Sequence, residues 1–153
     1  MNKPSDTLLA QYAPLEIWKA AENQAARSPH KQHKTGAIIY SGSSYRSRDD
    51  IYSTGCAHPH DGGKVSRSTH AEQHAISRLP NNCGYSICLI VTLTRNNHYA
   101  TCSRPCKGCA ESLCKHCCIV IYAEKCTDGS WAIRSESPTR LLRGFLIPTK
   151  ENT

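Results

Sequence analysis

Apolar residues Leu8, Leu9, Tyr12, Leu15, Ile17, Trp18 and Ala21 recur at roughly helical spacing across residues 7–27. Pro14 interrupts that spacing and marks the first turn of the main helix. The pattern then changes. TGAIIYSG (35–42) reads as a strand, and the polar run SGSSYRSRDD (41–50) as a loop into a second strand near residues 51–55. CAHPHDGGKVSRS (56–68) reads as a long irregular loop. A second helix is expected next, with Thr69 as its N-cap, Glu72 three positions on, and an apolar face of Ala71, Ala75, Ile76 and Leu79 before Pro80.

YSICLIVTL (85–93) is a continuous apolar and β-branched run, as in a strand buried on both faces. Pro105 is placed to open a third helix, CKGCAESLCKHC (106–117), at its first helical position. CIVIYA (118–123) and WAIR (131–134) read as strands, and SPTRLLRGFL (137–146) as a short amphipathic helix. Only about seven residues, with Asp128-Gly129 among them, join those two strands, which suits an antiparallel pair; a parallel crossover needs a dozen or more. The alternation predicts a three-layer α/β/α domain around a mixed five-stranded sheet whose last strand pair is antiparallel.

Composition narrows the setting. The chain has 153 residues, enough for one compact domain over 1–153. The beginning of the chain has no uninterrupted apolar stretch, and no segment approaches the roughly 20 apolar residues of a membrane span. A soluble cytoplasmic protein is expected, with no membrane partner. Ten cysteines would suggest disulfides in a secreted chain, but six of them fall between Cys102 and Cys118, which favours a local metal site. The formal charge of +7 suits phosphate-bearing partners. Its densest stretch, RSPHKQHK (27–34), reads more simply as a solvated loop.

The residues that carry chemistry are His70-Ala71-Glu72 and Pro105-Cys106-Lys107-Gly108-Cys109. Each set begins a predicted helix. Cys106 and Cys109 lie three apart on one helical face, at an N-terminus whose partial positive charge favours thiolate. Two thiolates and one imidazole give three zinc ligands and leave the fourth tetrahedral position open, which is the catalytic arrangement. Zinc lowers the pKa of a water in that position to about 7 in well-known cases. Glu72 follows His70 by two residues and can approach that position without being a ligand. Two plainer readings stand beside this one. Glu72 could merely complete a capping box. Cys106 and Cys109 could join Cys114 and Cys117 in a zinc ribbon, but four intervening residues fall far short of the usual 15–20.

The combination matches the H-x-E…P-C-x-x-C pattern of zinc deaminases, and the chain resembles the cytidine and deoxycytidylate deaminase superfamily over most of its length. The resemblance implies that His70, Cys106 and Cys109 hold one catalytic Zn²⁺ and that Glu72 is the general acid/base. It implies hydrolytic deamination of a nucleobase, cytosine to uracil in a free nucleoside or nucleotide, by a hydrolase acting on a cyclic amidine C–N bond. The short final connection resembles the cytidine deaminase branch. The alternative, supported by the basic charge, is cytosine in single-stranded DNA or RNA. A homo-oligomer is expected. Many members place a sugar-contacting Asn where this chain has Ala57, leaving His58 or His60 to replace it. Cys56, His58, His60, His74 and Cys102 include enough ligand types for a second, structural zinc. Cys83, Cys88, Cys114, Cys117 and Cys118 are expected to be small buried apolar residues.

Overall fold

The computed structural model describes residues 2–29, 34–42, 50–60, 64–80, 84–117 and 119–146, with backbone alone at 58–60, 64–69 and 146. Two helices open the chain, α1 (Asp6–Ala10) and α2 (Leu15–Arg27). The Ser5 hydroxyl caps α1 by accepting from the Leu8 N–H at 3.2 Å. Pro14 stands just outside α2, where its carbonyl accepts from Ile17 and Trp18, so its missing N–H leaves no gap in the helix. The α2 residues Ile17, Trp18, Ala21 and Ala25 form one buried face. The Trp18 indole N–H donates to the Leu9 carbonyl at 2.9 Å and ties the two helices together.

Strands β1 (Lys34–Ser41) and β2 (Ile51–Cys56) follow, then β3 (His58–His60), β4 (Lys64–Thr69) and helix α3 (Ala71–Ser77). The remainder comprises β5 (Ser86–Leu93), α4 (Lys107–Leu113), β6 (Ile119–Lys125), β7 (Trp131–Glu136) and α5 (Pro138–Leu146). Five strands form one sheet in the order β2-β1-β5-β6-β7. Among the described residues of this sheet, β5 and β6 pair in parallel, and the β1–β2, β1–β5 and β6–β7 pairs are antiparallel. The expected antiparallel ending is therefore present. The hairpin turn is held by the Asp128 carboxylate, which accepts from the Ser130 N–H (2.9 Å) and hydroxyl (2.6 Å), while Gly129 takes a φ of 88°. Those two bonds lower the Asp128 pKa.

Alternate residues of the central strands feed two separate cores. Ile38, Tyr40, Leu89, Val91 and Ile121 pack with α1 and α2 on one face. Ala37, Ile39, Cys88, Ile90 and Val120 pack with Ala71, Ala75, Ala110, Leu113 and Leu141 of α3, α4 and α5 on the other. Covering both faces explains why these strands read as continuous apolar runs. The result is the expected three-layer α/β/α arrangement around a mixed sheet.

Two glycines set how closely the helices lie. A Cβ on Gly36 would come within 2.5 Å of the Ala25 nitrogen of α2. One on Gly55 would come within 2.5 Å of both the Ala71 carbonyl oxygen and the Ala75 nitrogen of α3. Gly55 pairs with Ala37, the neighbour of Gly36, so the two close approaches lie side by side on opposite faces of the sheet. The Ser53 hydroxyl adds a 2.6 Å bond to the Ala75 carbonyl and fixes α3 against β2.

The structure corrects three expectations. Residues 56–68 are not an irregular loop throughout: β3 and β4 form a separate antiparallel pair, with His58 opposite Thr69 and His60 opposite Lys64. These strands lack the apolar pattern that marked the others, and backbone pairing alone defines them. Thr69 ends β4, and His70 is the N-cap of α3, which places Glu72 at the second helical position and removes it from a capping box. Helix α4 begins at Lys107 with Cys106 as its cap, so Pro105 precedes the helix and does not occupy its first position, and the helix ends at Leu113, so Cys114 and Cys117 lie beyond it. Among the described residues, no helix is long and apolar enough to cross a membrane.

Gly55→Val should lower stability by about 1–3 kcal/mol, because the added side chain must displace α3. Urea unfolding would measure it, and a variant as stable as the parent would refute the close-approach account.

Candidate metal centre

Three side chains from two helix starts converge. The His70 Nδ1 atom lies 3.2 Å from the Cys109 sulfur and 3.3 Å from the Cys106 sulfur. All three donor atoms fall within 4.8 Å of one another. A tetrahedral zinc with bonds of about 2.0–2.3 Å needs its donors about 3.5 Å apart, so this set fits the ion closely. His70 and Cys106 are exposed and Cys109 is buried, so the site opens outward from a closed floor.

Local structure explains the convergence. His70 is the N-cap of α3 and Cys106 is the N-cap of α4, so both are presented by extended backbone turning into a helix. The Cys106 sulfur accepts from the Cys109 N–H at 3.5 Å, a weak cap that orients the two thiols together. Burial pushes the Cys109 thiol up, and the neighbouring Glu72 and Cys106 add to that. A thiolate there needs a compensating cation, and a metal would bind the thiolate form.

Glu72 projects from the first turn of α3 and is only 4% exposed. Desolvation raises its carboxyl pKa, partly offset by its own backbone N–H, the His70 charge and a hydrogen bond with Cys109. It lies beside the donor set without belonging to it. The four residues singled out in the sequence thus occupy one place.

Other residues that position the site were not evident in the sequence. The Gln73 side-chain amide donates to the Ser112 hydroxyl at 2.8 Å and to the Gly108 carbonyl at 3.4 Å, clamping α3 to α4. Ser103 is buried; its hydroxyl accepts from the Thr92 N–H at 3.0 Å, and its own N–H donates to the Ala123 carbonyl at 3.2 Å. The chain three residues before Cys106 is thereby pinned between β5 and β6. No spacing rule marks such residues, because each partner lies far away in sequence.

The remaining candidates separate. Ala57 is buried, with its N–H bonded to the Thr35 carbonyl and its carbonyl accepting from the Ser28 hydroxyl. The side chains of His58 and His60 lie outside the described residues. His74 Nδ1 accepts the Cys56 N–H at 3.2 Å, and the Cys102 thiol donates to Glu124 at 3.8 Å. Among the described residues, the second set of candidate ligands forms no cluster like the first. Cys88 and Cys117 are buried as expected, whereas Cys114 is exposed because it follows the end of α4. Cys83 and Cys118 lie outside the described residues.

Solved structures share this architecture. Cytidine deaminase from Mycobacterium tuberculosis superimposes with a TM-score of 0.51 at 17% identity, over 88% of this chain and 94% of that protein. Cytidine deaminase from Mycobacterium leprae gives 0.52 at 18% identity, over 83% of this chain and 94% of its own. The chain therefore has the fold of cytidine deaminases. The dCMP deaminase of the cyanophage S-TIM5 shows 20% identity over 66% of this chain and 73% of its own, with a TM-score of 0.47. No family model and no curated protein matches the chain.

Native mass spectrometry should find one zinc per chain, lost in Cys109→Ala and kept in Glu72→Gln. Full zinc retention by Cys109→Ala would refute this donor set, and two zinc ions in the parent would restore the second site.

Proposed function

We propose that this chain is a zinc-dependent hydrolytic deaminase that converts cytosine to uracil in a free nucleoside or nucleotide. One observation carries the reading: three metal donors converge while a buried carboxyl, Glu72, stands beside them without belonging to the set. The fold shared with cytidine deaminases and the antiparallel β6–β7 ending support it.

Zinc, when bound, supplies an activated water and polarises it for attack. Hydrolysis of the amidine forms a carbon–oxygen bond, breaks the carbon–nitrogen bond and releases ammonia. The water gives up two protons: one must reach the ring nitrogen, which keeps it in the product, and the other the departing amine, which leaves as ammonia. We assign both transfers to Glu72. Burial raises its carboxyl pKa, and a carboxyl is a group that can take a proton and return it. His70 and Cys106 sit at the exposed mouth of the site, and Cys109 and Glu72 form its buried floor. The reacting carbon is accordingly held over Glu72 with the rest of the substrate directed outward.

A second reading, deamination of cytosine within single-stranded DNA or RNA, draws on the +7 charge. Oligonucleotide binding that weakens steeply with salt would favour it.

A panel of cytidine, deoxycytidine and their monophosphates should yield ammonia and the uracil product from at least one member. Glu72→Gln should lower that turnover by about 10²–10⁴-fold, the usual contribution of a proton-transfer residue, with zinc still bound. No ammonia from any member of the panel would overturn the cytosine assignment, and full activity in Glu72→Gln would overturn the role of the carboxyl.

A further inference from the structure

Arg104, α5 and the β6–β7 hairpin line an open groove of about 840 Å³. Arg104, Arg134, Arg140 and Arg143 line it, together with Glu124 and Glu136. We propose that this groove is a phosphate-binding subsite for the substrate of the metal centre, which makes that substrate a nucleotide or a nucleotide chain and not a free nucleoside. The inference rests on the deaminase reading and narrows its substrate class.

The charge in the groove is not internally cancelled. Four guanidiniums face two carboxylates: Glu124 meets Arg134 at 3.5 Å, and Glu136 accepts the neutral Tyr122 hydroxyl at 3.2 Å. Arg140 and Arg143 are exposed and have no acidic partner among the described residues. They lie three apart on α5 and therefore on one face of it. Helix electrostatics account for Arg143 in the last turn, where a cation is favoured. They do not account for Arg140. It sits near the start of α5, whose first turn holds no acidic residue, so it adds positive charge where the helix dipole already disfavours it. An anion in the groove would relieve that repulsion, and the planar guanidinium fork matches phosphate oxygens two at a time.

Arg104 joins the groove to the chemistry. It precedes the metal donor Cys106 by two residues, on the segment that Ser103 pins to the sheet. Its guanidinium is held rigidly: it donates to the Leu141 carbonyl at 3.1 Å and lies 5.0 Å from the centre of the Phe145 ring. One short stretch of chain thus presents a metal donor and a groove wall. A substrate whose base enters the metal centre and which carries a phosphate can use both. The volume lies in the range of small-ligand pockets, and the open shape also admits a continuing strand.

Calorimetry on the zinc-loaded full chain at low ionic strength would test the groove, with inorganic phosphate, cytidine 5′-monophosphate, cytidine and a ten-residue oligodeoxycytidine as probes. The parent should bind the monophosphate more tightly than cytidine. Arg140→Ser/Arg143→Ser should weaken the phosphate-bearing probes by about tenfold or more, as expected for losing charge-assisted bonds. Lys19→Ser/Arg27→Ser removes equal charge from α2, on the opposite side of the sheet, and should not. A larger loss for the oligonucleotide than for the monophosphate assigns the groove to a strand, and an equal loss assigns it to a single nucleotide. Circular dichroism checks folding, and Arg140→Gln/Arg143→Gln carries the test if the serine pair misfolds. Unchanged binding in the arginine variants, or an equal loss in the α2 control, would overturn the proposal. These measurements need no turnover. Arginine-dependent phosphate binding without deamination would therefore remove the reaction reading and leave the groove, and deamination with arginine-independent binding would do the reverse.

Discussion

The close seating of α3 on β2 is the constraint on which the site depends. Gly55 removes the side chain that would hold the helix away, and the Ser53 hydroxyl bonds the Ala75 carbonyl across the gap. Helix position matters because His70 and Glu72 sit at the first turn of α3, and their partners come from α4. An outward shift of α3 would carry the imidazole away from both sulfurs, since those contacts are only 3.2 and 3.3 Å long. Gln73 bonds Ser112 and the Gly108 carbonyl and holds α3 against α4. Ala71, Ala75 and Ala110 complete the fit, because small side chains let both helices lie close to the sheet.

The sheet is shaped to support this geometry. The parallel β5–β6 pair requires a crossover, and α4 supplies it on the face that α3 already covers. The connection from β5 to α4 returns over the strand ends, where Ser103 bonds both Thr92 and Ala123. Cys106 is therefore delivered by a segment anchored to two neighbouring strands. On the other face, Trp18 and its neighbours close the first core and leave the metal side free to hold polar groups.

Much of this was legible in the chain because burial on both faces of β1, β5 and β6 writes itself as apolar runs. The metal donors were legible for a different reason: Cys106 and Cys109 lie one helical turn apart, and His70 and Glu72 share another turn. What escaped detection has no local pattern. The β3–β4 pair is built from polar residues, so nothing distinguishes residues 64–69 from a loop until the backbone pairs. The start of α3 moved by one residue because Thr69 is a good cap that β4 claims first. Gln73, Ser103 and Arg104 matter through partners 11 to 39 positions away, a distance over which sequence spacing carries no geometric information.

The electrostatics of the centre follow from which groups are buried. Cys109 and Glu72 are both removed from water; Glu72 pushes the Cys109 thiol up further, while the hydrogen bond with Cys109 partly offsets the rise at Glu72. Two thiolates and a buried carboxylate cannot coexist there without a compensating cation. On the proposed reading, the two thiolates balance a dication, and Glu72 remains as the single ionisable group with no opposite charge reserved for it. A buried carboxyl in that position readily holds a proton, yet the cation beside it keeps the ionised form within reach. On that reading the burial of Glu72 serves proton exchange, while the exposed His70 and Cys106 leave the approach open.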